Sequence, residues 1–142
     1  ILYRNTSTGG EKLVVTIPTL LIATCFEQGR LVRSQIWVVK AGLEHKLTVS
    51  LTEPIVAPLP YGNVHDHGGI CWGTAHTRDI KTPMDVEETF FGSAFNADLF
   101  NRGNIGVNDP DLASLVKRVN GVLPLPTNFG VSIASIAQGL GR

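Results

Sequence analysis

The chain has 142 residues, with 12 Lys and Arg against 12 Asp and Glu, so its formal net charge is zero. That balance excludes the strongly basic footprint of a dedicated nucleic-acid binder. Hydrophobic residues make up 43% and charged residues 17%, which excludes a disordered chain and supplies enough apolar material for one domain with a core.

No apolar run reaches the roughly 18 residues needed to cross a bilayer. No lipid-attachment motif or signal-peptide pattern is found, and the chain opens on Ile1, as expected of a fragment or a processed form. Two cysteines, Cys25 and Cys71, are too few for a disulfide scaffold, so a reducing, cytoplasmic setting is expected.

Residues 1–11, with Asn5-Thr6-Ser7-Thr8-Gly9-Gly10, predict a flexible N-terminal segment ahead of a domain over 12–121. Leu13–Ile17 is β-branched and stops at Pro18, which cannot donate to a central ladder. Leu20–Phe26 is a second strand, Gln28-Gly29 a turn, and Leu31–Val39 a third strand. In that third run Leu31, Arg33, Gln35, Trp37 and Val39 share one face, and Val32, Ser34, Ile36 and Val38 the other. Leu47–Leu51 alternates as a fourth strand, so the pattern predicts a four-strand antiparallel meander. From Glu53 to Cys71, Pro54, Pro58, Pro60, Gly62, Gly68 and Gly69 make an irregular stretch. Its apolar anchors Ile55, Val56, Leu59, Val64 and Ile70 predict an ordered loop pressed on the sheet.

Helices follow. Thr82-Pro83-Met84-Asp85 is a capped start for a helix to about Phe91. Asp109-Pro110 opens another, with Leu112, Leu115, Val116 and Val119 at helical spacing and Asn120-Gly121 as its end. The tail 122–142 reads as a short helix or a disordered end. Strands first and helices second predict an α+β fold.

The chemistry concentrates in residues 57–73. Cys71 is a candidate nucleophile if its thiol is exposed, and otherwise an inert core thiol. Asn63 is a candidate oxyanion or loop support, though Asn is equally at home in tight turns. His65, Asp66 and His67 read as exposed turn residues, with two alternatives. One is acid–base help from His65 or His67 near Cys71. The other is a metal site of His65, His67 and Cys71, which offers only three ligands in no standard spacing. Cys25 is expected in the core; a bridge to Cys71 needs Cα atoms within about 7 Å. Trp37 and Trp72 are expected to fill cores, Trp72 also being placed to shape a pocket at the thiol. Phe90, Phe91, Phe95 and Phe100 are expected to pack a helix on the sheet. His45 and His76 read as surface residues. No phosphate-binding glycine loop, nucleophile elbow or His-Glu-x-x-His is present, and no cofactor is expected.

The run Asn63, seven intervening residues, Cys71 resembles the signature of ubiquitin-conjugating enzymes, which have His-Pro-Asn at that spacing before the catalytic Cys. Val64, Gly68 and Ile70 also fit the pattern, as does a meander before it and helices after. Tyr61-Gly62 stands where the signature has His-Pro, and there is no counterpart of the N-terminal helix or of the acidic residue that helps deprotonate the acceptor lysine. The Pro-Leu-Pro run, Asn63-Val64, Ile70-Cys71-Trp72-Gly73 and Phe90-Phe91-Gly92-Ser93-Ala94-Phe95 are similar to the prokaryotic members, including the family of PRTRC plasmid-system protein B. The likeness spans roughly residues 12–100. It implies a ubiquitin-conjugating-like fold in which Cys71 accepts a ubiquitin-like protein as a thioester, with Asn63 supporting the loop or oxyanion. The implied partners are that ubiquitin-like protein and a separate activating enzyme. A catalytically inactive protein-binding scaffold on the same fold is the other expectation.

Overall fold

Gln28 and Gly29 both have positive φ, 49° and 73°. That is the backbone of a two-residue turn whose twist matches the strands it joins. It closes a hairpin between β3, Leu20–Glu27, and β4, Arg30–Val39. The computed structural model describes residues 2–5, 9–47, 51–73, 77–95 and 99–140. A third strand, β5 (Val56–Pro58), pairs antiparallel with Trp37–Val39 of β4, giving a sheet in the order β3-β4-β5.

The expected four-strand meander is therefore redrawn among the described residues. Leu13–Ile17 forms no ladder: Val14 is 86% exposed, and the Thr16 N–H donates instead to the Gly121 carbonyl at 2.9 Å. Only Leu13 of that run is buried, so β-branched composition there was not matched by a neighbouring strand. Glu44–Leu47 is a 3-10 turn, and residues 48–50 of the expected fourth strand lie outside the described residues. Where residues 1–11 were expected to be flexible, β1 (Leu2–Asn5) pairs antiparallel with β2 (Gly9–Lys12) and parallel with β6 (Ala94–Phe95) in a second sheet.

The helices follow the capping chemistry. α1 (Pro83–Gly92) starts at Thr82, whose hydroxyl accepts from Asp85 N–H while the Asp85 carboxylate accepts from Thr82 N–H. A short α2 (Arg102–Ile105) comes next. α3 (Leu112–Val119) is capped by Asp111 rather than Asp109, and ends at Asn120 in the left-handed region. Asp109 instead pairs with Arg118 at 2.8 Å. The tail is folded: α4 (Ile133–Leu140) packs on β3.

Alternation along β3 and β4 divides the interior in two. Ile36 and Val38, with Leu20 and Ile22, face a main core holding Leu59, Tyr61, Phe90, Phe95, Leu112 and Leu115. Trp37 and Val39, with Leu21 and Ala23, face a second core of Ile55, Val56 and Ile136. Phe90 and Phe95 meet edge to face at 5.1 Å, so the phenylalanine cluster packs α1 into the main core as expected.

Candidate functional site

The stretch 53–71 is ordered, and its anchors explain why. Ile55, Val56, Leu59 and Val64 are all buried, and Ile70 packs against the main core. Within it, residues 63–71 fold as a small hairpin. The Gly68 N–H donates to the His65 carbonyl, the His65 N–H to Gly69, and the Cys71 N–H to Asn63 at 2.8 Å. Asp66-His67-Gly68 is the three-residue loop, with Gly68 at φ 86° supplying the left-handed residue that such a loop requires. The residue has a second constraint: a Cβ on Gly68 would run into the Trp37 indole.

The hairpin docks on the edge of β4 beside β5. Ile36 N–H donates to the Gly68 carbonyl at 3.0 Å, and Ile70 N–H to the Ser34 carbonyl at 3.1 Å. Trp72 packs on the main core and donates its indole N–H to Ser34 Oγ at 3.1 Å. Cys71 thus has a fixed backbone and an exposed side chain. Cys25 on β3 is half-buried, and both cysteines are free thiols.

Asn63 and Cys71 are brought together across the hairpin rung. Asn63 is buried and sits at φ 58°, the left-handed region that Asn tolerates better than most residues. His65 and His67 lie toward the tip, both exposed, with rings stacked 5.3 Å apart. The tight turn over Asp66-His67-Gly68 brings the two rings together. His67 Nδ1 accepts from Gly69 N–H at 3.2 Å, which assigns the imidazole's remaining hydrogen to Nε2 in its neutral form. His65 is two rungs from Cys71, about 7 Å along the strand. Among the described residues no three His, Cys, Asp or Glu side chains converge as a metal site. The alternative of a metal held by His65, His67 and Cys71 therefore has no ligand geometry behind it. The side chain of His45, and His76 altogether, lie outside the described residues.

Tyr61, at the base of the hairpin, is 1% exposed and donates its hydroxyl to the Pro124 carbonyl at 2.7 Å. Burial pushes its phenol up to about 12. An open groove of about 490 Å³ passes the tip, lined by Asp66, Asn101, Asn104, Thr127 and Asn128 among others, and Cys71 is not part of its wall. Sequence reasoning missed Ser34. The available signal was its alternation: it shares the inward face of β4 with Ile36 and Val38, and a buried hydroxyl needs a partner. Among the described residues no helix is long and apolar enough to cross a membrane.

Comparison with known proteins adds one finding to this geometry. No curated protein and no solved structure matches the chain. The model of one family, described as prokaryotic E2 family D, matches residues 1–120, a span that includes both sheets, the hairpin with Cys71, and α1 to α3. The chain belongs to prokaryotic E2 family D.

Proposed function

We propose that this chain carries a ubiquitin-like protein as a thioester on Cys71 and passes it to an acceptor, in a bacterial, plasmid or phage conjugation system. Family membership supports an E2-like role. The observation that carries the finer reading is the setting of Cys71. Its side chain is exposed, and its backbone is held by the Asn63 carbonyl at the foot of an ordered hairpin. A carrier thiol must be open to a bulky donor and an acceptor in turn, and a fixed backbone holds it in one place for both.

The chemistry is acyl exchange. The Cys71 thiolate attacks the carbonyl of an activated C-terminus, a sulfur–carbon bond forms, and the donor's thiol leaves with a proton. An acceptor amine later repeats the attack and releases Cys71. A separate activating enzyme would supply the first thioester at the cost of ATP, so this chain's own residues need no cofactor for the exchange. Asn63 is buried and built into the rung, which supports loop holding as its part. His65 lies on the rung next but one and His67 at the tip, so in this reading any help they give to proton transfer at Cys71 runs through intervening water.

One observation favours the scaffold reading instead. Tyr61-Gly62 replaces the His-Pro of the signature, and Tyr61 is committed to Pro124 rather than turned to the thiol.

A partner-free assay puts the carrier reading at risk first. The protein is mixed with a short glycine-ended peptide thioester of mercaptoethanesulfonate, and peptide masses are read. A carrier gains one acyl group on Cys71, reversed by hydroxylamine, and Cys71→Ser gains none. Acylation that falls on Cys25 instead, or on neither cysteine, rejects the carrier reading.

A further inference from the structure

We propose that Ser34 is a positioning residue for Cys71, holding the residues on both sides of it; this rests on the carrier reading above. The Ser34 carbonyl accepts from Ile70 N–H, and Ser34 Oγ accepts from Trp72 Nε1–H, each at 3.1 Å. The Cys71 N–H goes to Asn63. Three consecutive residues are therefore tied down, two of them by one serine of β4.

Ser34 is buried on the face it shares with Ile36 and Val38. A hydroxyl there is tolerated because it is bonded. The indole it bonds follows directly after the thiol-bearing residue and lies half-buried against the main core. Without that hydrogen bond, whether Oγ or the indole N–H is removed, the ring is no longer pinned to β4, and the arm bearing Cys71 loses one of its fixed points. A thiol whose flanking residue is free to shift meets the acyl donor in the reactive geometry less often. Ser34→Ala removes the side-chain half of the clamp and leaves the backbone bond to Ile70, so strand docking survives.

The test compares wild type with Ser34→Ala, Ser34→Thr, Trp72→Phe and the Ser34→Ala/Trp72→Phe double variant. For each, Cys71 acylation by the peptide thioester and alkylation by iodoacetamide are timed, with Cys25 as internal reference. In the acylation the Cys71 sulfur bonds the carbonyl carbon, the bond to mercaptoethanesulfonate breaks, and that thiol leaves with the proton Cys71 gave up. Loss of one hydrogen bond predicts acylation slower by about threefold to tenfold in Ser34→Ala and in Trp72→Phe. Because both remove the same bond, the double variant is no slower than the slower single. Ser34→Thr keeps the hydroxyl and stays within about twofold of wild type. A wild-type rate in Ser34→Ala overturns the proposal. So do losses that multiply in the double variant. If Ser34→Ala fails to fold, Trp72→Phe decides alone, since it keeps a ring and deletes the donor. If wild-type Cys71 is alkylated but never acylated, the carrier reading falls, and the clamp is judged on the same pattern in the alkylation rates.

Discussion

Tyr61→Phe tests whether the hairpin that carries Cys71 is anchored to the C-terminal segment. Tyr61 is buried among the main-core residues, and its hydroxyl reaches the Pro124 carbonyl. Removing the oxygen leaves that carbonyl without its donor, which is expected to cost about 1–3 kcal/mol. A second signature comes from pH. The folded phenol titrates at about 12 against an ordinary 10.0, because burial penalises the phenolate. A raised value for an acid means the neutral form is favoured by folding. The stabilisation is fully present below pH 10 and is lost as pH rises from 10 to 12. At 1.36 kcal/mol per pH unit, the two-unit window holds at most about 2.7 kcal/mol. The assay is denaturant unfolding of wild type and Tyr61→Phe from neutral pH upward, with phenolate absorbance followed in parallel. Wild type should lead by about 1–3 kcal/mol at neutral pH, and the lead should close through the window as Tyr61 ionises. A gap that stays constant to pH 12, with Tyr61 ionising near 10, would refute both the burial and the anchor.

Other expected outcomes follow from the same geometry. Exposed Cys71 should react with iodoacetamide at least about tenfold faster than half-buried Cys25, a ratio equivalent to about 1.4 kcal/mol of local opening on β3; equal rates in the native protein would contradict the placement. Gly68→Ala should destabilise the protein by about 2–4 kcal/mol, from the left-handed backbone and the Trp37 indole together, and chemical denaturation measures it. Asp85 accepts from the Lys81 and Thr82 N–H groups, which holds its carboxyl below the usual carboxylate range. Its contribution is therefore present above that range and lost as pH falls through the lowered value, and Asp85→Asn should flatten the acid limb of the stability curve.

The sequence made most of this fold legible where local chemistry and tertiary packing agree. The capping box at Thr82 and Asp85, the Asn120-Gly121 stop and the Gln28-Gly29 turn each specify a backbone within a few residues, and each was found in place. The two faces of Leu31–Val39 were readable because the last residues of each are apolar, Ile36 and Val38 on one and Trp37 and Val39 on the other, although alternation alone did not say that a second core lay behind Trp37 and Val39. Leu13–Ile17 misled because β-propensity describes a side chain's fit to a pleated surface, and no neighbour supplies one there. At the site, the Asn63-to-Cys71 spacing was visible in the chain, but not its cause. Seven residues suffice for two short arms and a three-residue loop, which puts Asn63 and Cys71 on one rung. Alternation put Ser34 on the inward face, but its partners were not legible because they are distant in sequence: 36 residues to Ile70 and 38 to Trp72.

The hairpin is gripped from both sides of the sheet, and that links residues beyond the family match to the thiol. On the main-core side, Ser34 and Trp72 hold the arm that bears Cys71. On the other side Trp37 sits under Gly68, so the turn cannot move without displacing an indole that belongs to the second core. Ile136 of α4 closes that core, and Arg33 of β4 fastens the helix end by donating to the Leu140 carbonyl at 2.6 Å. Tyr61 and Pro124, with the Val56–Val131 pairing, tie the same C-terminal stretch to both ends of the segment leading into the hairpin. Residues 121–140 are thus structural support for the Cys71 hairpin as much as a tail. Changes that loosen α4 should reach Cys71 through Trp37 and Gly68, because a packed interior passes a displacement on to its neighbours.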